Sequence, residues 1–257
     1  MKQLKTFEEY NALYRDFLRR GVCTNEFPDI TACRQEIAEG VLFSEETDGA
    51  VLLFRDRGSH LRMNFFLQTM QMPPLPAGKP IVTELAFRER DTKLAETVDF
   101  LRERGFTLLA KRGRLTRLRG IVPPETSPAV RPAELSELER ADARLRACFD
   151  PLTGCLPPRW ELEQSIRSGE VLLSEHGILH FSKGRTAAEL RHLAVEAPFR
   201  GRGEAQALLS AFLRETAEQR TYVWVRQGNR PAEALYRKNF FVPDGWTSAV
   251  LIRREDD

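Results

Sequence analysis

The chain has 257 residues, 42% of them hydrophobic and 30% charged, enough apolar material for one large core or two small ones and too much for a disordered segment. Its 39 basic and 37 acidic residues leave a formal net charge of +2, which argues against a dedicated nucleic-acid binder. No apolar run reaches the roughly eighteen residues of a membrane span, the start lacks the features of a targeting peptide, and Cys23, Cys33, Cys148 and Cys155 fit neither a disulfide framework nor a zinc pattern, so a cytoplasmic protein with reduced thiols and no metal is expected.

In chain order, "TFEEYNALYRDFLRRG" and "DITACRQEIAEG" place apolar residues three and four apart and predict two amphipathic helices. Residues 40–69, "GVLFSEETDGAVLLFRDRGSHLRMNFFLQT", read as three strands joined by turns. A proline- and glycine-rich stretch, "MQMPPLPAGKP", leads to the strand "IVTELAF", and "TVDFLRERGF" is a helix closing on an aromatic residue. The tract "AKRGRLTRLRG" (110–120) holds five cations, read as a solvated face, with contact to phosphate the lesser alternative. In "IVPPETSPAVRP", residues 121–132, four prolines disfavour helix and sheet and mark a linker.

The second half repeats the first. "ELSELERADARLRACF" and "PRWELEQSIRSG" are again paired helices, and residues 169–196 again form a three-strand meander with a Ser-Glu turn and a basic glycine turn. "AEALYRKNFF" (232–241) parallels "TVDFLRERGF" (97–106). Two related units of mixed α/β architecture follow, 1–121 and 122–257. They differ after the third strand, where only the second has "APFRGRGEAQALLSAFLRETAEQ", a glycine loop running into a long helix.

That loop can bind an anion. Peptide N–H groups at a helix start lack internal partners and carry the positive end of the helix dipole, and a turn bare of side chains lets a phosphate approach them. Arg200 and Arg202 add matching charge; Glu204 is tolerable only if its carboxylate faces away. The loop fits neither the Walker pattern nor the dinucleotide fingerprint.

"LAVEAPFRGRGEA" resembles the acetyl-CoA signature of the GNAT superfamily of N-acetyltransferases, Gln/Arg-x-x-Gly-x-Gly/Ala, with Arg200, Gly203 and Ala205 in its positions. "NRPAEALYRKNFF" is similar to the family's second cofactor segment through Asn229, Ala232, Leu235, Tyr236, Lys238 and Phe240, with Asn239 in place of the usual glycine. The resemblance implies two GNAT-like units in tandem, an α/β fold with a mixed sheet, the first unit degenerate and without the cofactor loop. It implies acetyl-CoA as cofactor and a small-molecule or peptide amine as acceptor, in a monomer or homodimer. Main-chain groups of Leu193, Ala194 and Val195 would meet the thioester, and the loop Arg200, Gly201, Arg202, Gly203, Glu204 and Ala205 would hold the diphosphate. Asn229 and Ala232 would flank the pantetheine, with Asn229 alternatively capping the next helix.

Transfer to an amine needs a base and an acid. The resemblance points to Glu189 as base, with a solvated carboxylate or a partner for Arg191 as the other reading, and to Tyr236 as the acid at the leaving sulfur. His192 is a second base candidate, otherwise a packed core histidine. Strict strand alternation would place Glu189 and His192 on opposite faces. A non-catalytic acyl-CoA sensor and a transferase using another acyl donor remain as alternatives.

Overall fold

A computed structural model describes residues 1–18, 22–27, 29–88, 91–120 and 129–254. Most of the proline-rich segment at 121–132 lies outside them, although Arg131 and Pro132 pair with a strand. The chain divides into two compact units, Met1–Lys111 with Trp246–Asp257, and Arg112–Gly245. These are not the two halves of the sequence, because the last strand of each half belongs to the other half's unit.

In the first unit the elements run β1 (Lys2–Gln3), α1 (Phe7–Leu18), β2 (Cys23–Thr24), α2 (Ile30–Ala38), β3 (Leu42–Thr47), β4 (Ala50–Asp56), β5 (Leu61–Leu67), β6 (Ile81–Arg88), α3 (Thr92–Arg102) and the start of β7 (Thr107–Arg117). Strands β3, β4 and β5 form an antiparallel meander, and β6 joins β5 in parallel. Every residue from Ala50 to Arg55 is buried, and their side chains alternate between two cores. Ala50, Leu52 and Phe54 meet Val98 and Leu101 of α3, whereas Val51 and Leu53 meet Tyr10 and Phe17 of α1. Helices on both faces therefore remove the polar alternation a half-exposed strand would show.

The β5–β6 ladder covers only Leu61 opposite Ile81 and Arg62 opposite Val82, so the two strands part early. The chain closes the opening itself. Strand β2 pairs with β5 through Thr24 opposite Phe66, and Asn25 next to it reaches both walls. Its carboxamide accepts from the Phe65 N–H at 2.8 Å and donates to Thr83 Oγ1 and the Glu84 carbonyl, each at 3.0 Å. Glu26 is held by Arg55 at 2.7 Å and by the Tyr10 hydroxyl at 2.9 Å, and Arg55 also binds Glu36 at 2.8 Å.

The second unit continues with β8 (Arg131–Pro132), α4 (Leu138–Cys148), α5 (Arg159–Arg167), β9 (Val171–Leu173), β10 (Gly177–Lys183), β11 (Ala187–Val195), α6 (Glu204–Glu215), β12 (Arg220–Arg226), α7 (Arg230–Lys238) and β13 (Val242–Arg253). Its sheet order is β7-β12-β11-β10-β9-β8, parallel only between β11 and β12. Residues Trp246–Arg253 of β13 pair with β6 in the first unit's sheet, and Arg112–Arg117 of β7 pair with β12 in the second's. One face packs on α6 and α7 through Phe181, Leu190, Phe212 and Tyr236, and the other on α4 and α5 through Ile178, Leu145 and Leu162. Phe181 and Phe212 meet edge to face at 5.2 Å, each burial contributing roughly 2–3 kcal/mol. No described helix is long and apolar enough to cross a membrane.

Candidate active site

The site begins where a ladder ends. Strand β11 pairs with β12 from Ala187 opposite Arg220 to Leu190 opposite Val223, yet β11 runs on to Val195 and β12 to Arg226. The strands diverge beyond Leu190, and a cleft of about 540 Å³ opens there. Leu193, Ala194 and Val195 line it along β11, the glycine loop and the first turn of α6 line one end, and Asn229, Ala232 and Tyr236 contribute from the start and inner face of α7.

The loop has the backbone the sequence called for. Gly201 has φ +79 and Gly203 φ +90, both in the left-handed region that favours glycine, and a Cβ built on Gly201 would point into open space. Gly203 is the N-cap of α6, so the unpartnered amides of the first turn face the cleft. Arg200 donates Nε–H to the Val195 carbonyl at 3.0 Å, fixing the loop to the end of β11. Arg202 is not part of the cleft wall; its guanidinium lies over the Phe199 ring at 5.2 Å, and His176 stacks on that ring. Glu204 does face away, its carboxylate buried where it accepts from the Ser174 hydroxyl and from the His176 N–H at 3.0 Å. An anion at the loop would therefore not face this carboxylate.

Asn229 caps α7, accepting from the Ala232 N–H at 3.3 Å, with Pro231 in the first turn. Tyr236 is buried against Phe241 with ring centroids 5.5 Å apart. Burial pushes its phenol well above the ordinary range, so it stays protonated and able to donate. The position expected of a glycine proves to be one residue later than the sequence reading placed it. Asn239 has φ −100, whereas Phe240 sits at φ +65, is exposed, and is followed by the buried Phe241. The first unit has Gly105 at φ +82 before buried Phe106 in the matching place.

Strict alternation along β11 fails for a stated reason. His180 pairs with His192 and Phe181 with Leu190, so Arg191 is an extra residue, a β-bulge. The bulge resets the pleat and brings Glu189 and His192 to the same face, the one covered by α4 and α5. Glu189 is half-buried there and accepts from the Tyr222 hydroxyl at 3.4 Å. Burial and the neighbouring Glu189 push the Tyr222 phenol up to about 12. Arg191 pairs with Glu161. Glu189 is not among the residues lining the cleft.

His192 is a core histidine. Its Nε2 lies 2.8 Å from the Gly154 carbonyl, which can only accept, so that nitrogen carries the proton. The Nδ1 of neutral His192 then accepts from His180 Nδ1 at 3.1 Å, and His180 Nε2 accepts from the Ser165 hydroxyl at 3.1 Å. Both rings are buried, and desolvation lowers both affinities for a proton, that of His192 to about 4. With its one lone pair turned toward His180, His192 does not serve as base.

Of the five cations in the basic tract, Lys111 and Arg119 are exposed and the other three are not solvated. Arg112 donates to the Thr153 carbonyl, Arg114 pairs with Asp244 at 2.7 Å and lies over the Tyr222 and Trp224 rings, and Arg117 is buried. Sequence reasoning missed Cys148 and Phe149, which enter the cleft wall from the end of α4. Only their place as the closing residues of a helical pattern marked them.

These features have known counterparts. Residues 154–240 match the Acetyltransferase (GNAT) family model. The match covers about a third of the chain. No curated protein matches the chain. Among solved structures, a GCN5-related N-acetyltransferase from Sphaerobacter thermophilus is 14% identical, with a TM-score of 0.57, 88% of this chain and 85% of that one covered. A tandem GNAT protein from the clavulanic acid biosynthesis pathway is 12% identical with a TM-score of 0.58, covering 98% and 97%. An acetyltransferase from the GNAT family of Colwellia psychrerythraea is 12% identical with a TM-score of 0.55, covering 98% of each chain. At these identities the likeness is one of fold. The glycine loop, the parted strands and Tyr236 all fall inside the segment that matches the family model.

Proposed function

We propose that the second unit transfers an acetyl group from acetyl-CoA to a primary amine, a small molecule or the amine of a peptide, and that the first unit is a degenerate copy without a cofactor site. The supporting observation is the pair of left-handed glycines at the N terminus of α6, directly at the opening between β11 and β12. The cleft fits the cofactor chemically: bare amides and Arg200 suit a diphosphate, and the unpaired edge of β11 suits an amide-bearing chain.

Acetyl-CoA would supply an activated acyl group. Main-chain amides from Gly201 to Ala205 hold the anionic end, and the edge Leu193–Val195 offers N–H and C=O groups to the pantetheine. An N–H on that edge stabilises negative charge developing on a carbonyl oxygen. Tyr236 holds a proton at its hydroxyl oxygen, in position to protonate a departing thiolate. Glu189 removes the amine's proton, through water, from the face opposite α6.

Thiol release from acetyl-CoA with a panel of amino acids, polyamines, aminoglycosides and peptides tests the reading; no release with any of them would overturn the transferase assignment. The position of Glu189 outside the cleft lining favours a second reading, an acyl-CoA sensor without turnover. Loss of turnover with retained CoA affinity in Tyr236→Phe or Glu189→Gln decides for the enzyme, whereas stabilisation by CoA with no activity in the native protein decides for the sensor.

A further inference from the structure

A ligand threaded between β11 and β12 meets a fixed order of side chains. Beside the loop, Arg200 ties to Val195, and Cys148 at the end of α4 enters the wall of the same cleft. About 10 Å further in, at roughly 3.3 Å per residue, lies His192, two residues beyond the last paired residue Leu190. The ring of Phe149 stands edge-on against His192, centroids 4.9 Å apart, and packs on the core that α4 and α5 share with Ile178. Phe149 also lines the cleft, so its ring is an aromatic wall close to the point where the strands part.

That wall cannot easily retreat. His192 behind it is fixed by the Gly154 carbonyl at 2.8 Å and by His180 at 3.1 Å, and His180 by Ser165 at 3.1 Å. Phe149 itself is the C-cap of α4, its N–H bound to the Leu145 carbonyl at 3.0 Å.

We infer that Phe149, backed by His192, sets the length of the acyl group, admitting acetyl and excluding straight chains of four carbons or more. This rests on the acyl-CoA reading above and goes beyond it by naming the residue that chooses the acyl donor. Phe149 is a specificity residue; His192 acts through it as a positioning residue.

The test needs no acceptor. Titration calorimetry with CoA, acetyl-CoA and butyryl-CoA should show acetyl-CoA binding as tightly as CoA and butyryl-CoA at least tenfold more weakly. Phe149→Ala should bring butyryl-CoA within about threefold of acetyl-CoA, and the milder Phe149→Leu should fall between. His192→Ala should narrow the same ratio and His192→Gln restore it; a ratio of two affinities in one protein is not moved by a general loss of stability. Equal affinities in the native chain, or an unchanged ratio in both Phe149 variants, would overturn the inference while leaving acyl-CoA binding intact. No binding of CoA itself would take down the cofactor reading and the inference with it.

Discussion

The buried histidine pair gives the chain a stability that acid should remove. His192 is neutral in the folded state with a pKa of about 4, against about 6.5 when unfolded. Between these values the unfolded chain binds the proton and the folded one does not, so stability is full above pH 6.5 and falls as the pH drops toward 4. From pH 7 to pH 5 this single group costs about 2 kcal/mol, and His180, depressed by the same burial and by nearby Arg191 and His192, adds a loss of the same sign. Ordinary carboxylates add little in that window, because they titrate near pH 4, and Glu137 is held lower still, at about 2, by Arg131. Urea unfolding at 25 °C, pH 7 and pH 5, with His192→Gln as control, measures the effect; glutamine keeps a donor for the Gly154 carbonyl and does not titrate. The native protein should lose roughly 2 kcal/mol more than the variant between the two pH values. Equal losses in both proteins would refute the neutral, proton-excluding arrangement of the pair.

Three other outcomes are expected. Gly203→Asp should abolish CoA binding in calorimetry, since it puts a side chain and an anion at φ +90 where the first-turn amides open; unchanged affinity would remove the loop from the site. Asn25→Ala should destabilise the first unit by roughly 3 kcal/mol, because it leaves the buried Phe65 N–H without its acceptor and the Glu84 carbonyl without its donor, while CoA affinity stays native; a thermal melt unaltered by the substitution would contradict that. Gly105→Ala should cost about 1 kcal/mol for its φ of +82, with its new methyl at an ordinary 3.6 Å from Arg253, and calorimetric or chemical unfolding would detect it.

Much of this architecture is written in the sequence at the level of local pattern. The paired helices before each meander, the strands and the capped loop all follow from apolar spacing and from glycine, and these are short-range signals. The turning away of Glu204 was legible as the condition under which the loop could take an anion. What could not be read depends on pairing across distance. The bulge at Arg191 adds one residue to a strand without changing its composition, so period-two reasoning put Glu189 and His192 on opposite faces. Asn239 was set against the family's glycine after α7, yet Asn239 closes the helix at φ −100 and the left-handed residue is Phe240. Arg112 and Arg114 looked solvated with the rest of the basic tract because their partners, Thr153 and Asp244, lie far away along the chain.

The two parted strand pairs show why repetition of a fold does not repeat a site. Parting parallel strands strips ladder partners from backbone groups, and those groups must bond to something else. In the first unit β2 and the carboxamide of Asn25 take that place, with an N–H and a C=O of the two walls bound to one side chain. Glu26, clamped by Arg55 and Tyr10, keeps the segment from leaving. An occupant that is covalently part of the chain has an effective concentration no free ligand matches, so that opening is closed at equilibrium. In the second unit the edge from Leu193 to Val195 lines a cleft rather than pairing with a third strand, with Phe149 in the cleft wall. The same break in a ladder is thus a structural joint where the chain fills it and an open cleft where it does not; the difference lies in the residues before α2 and after α4.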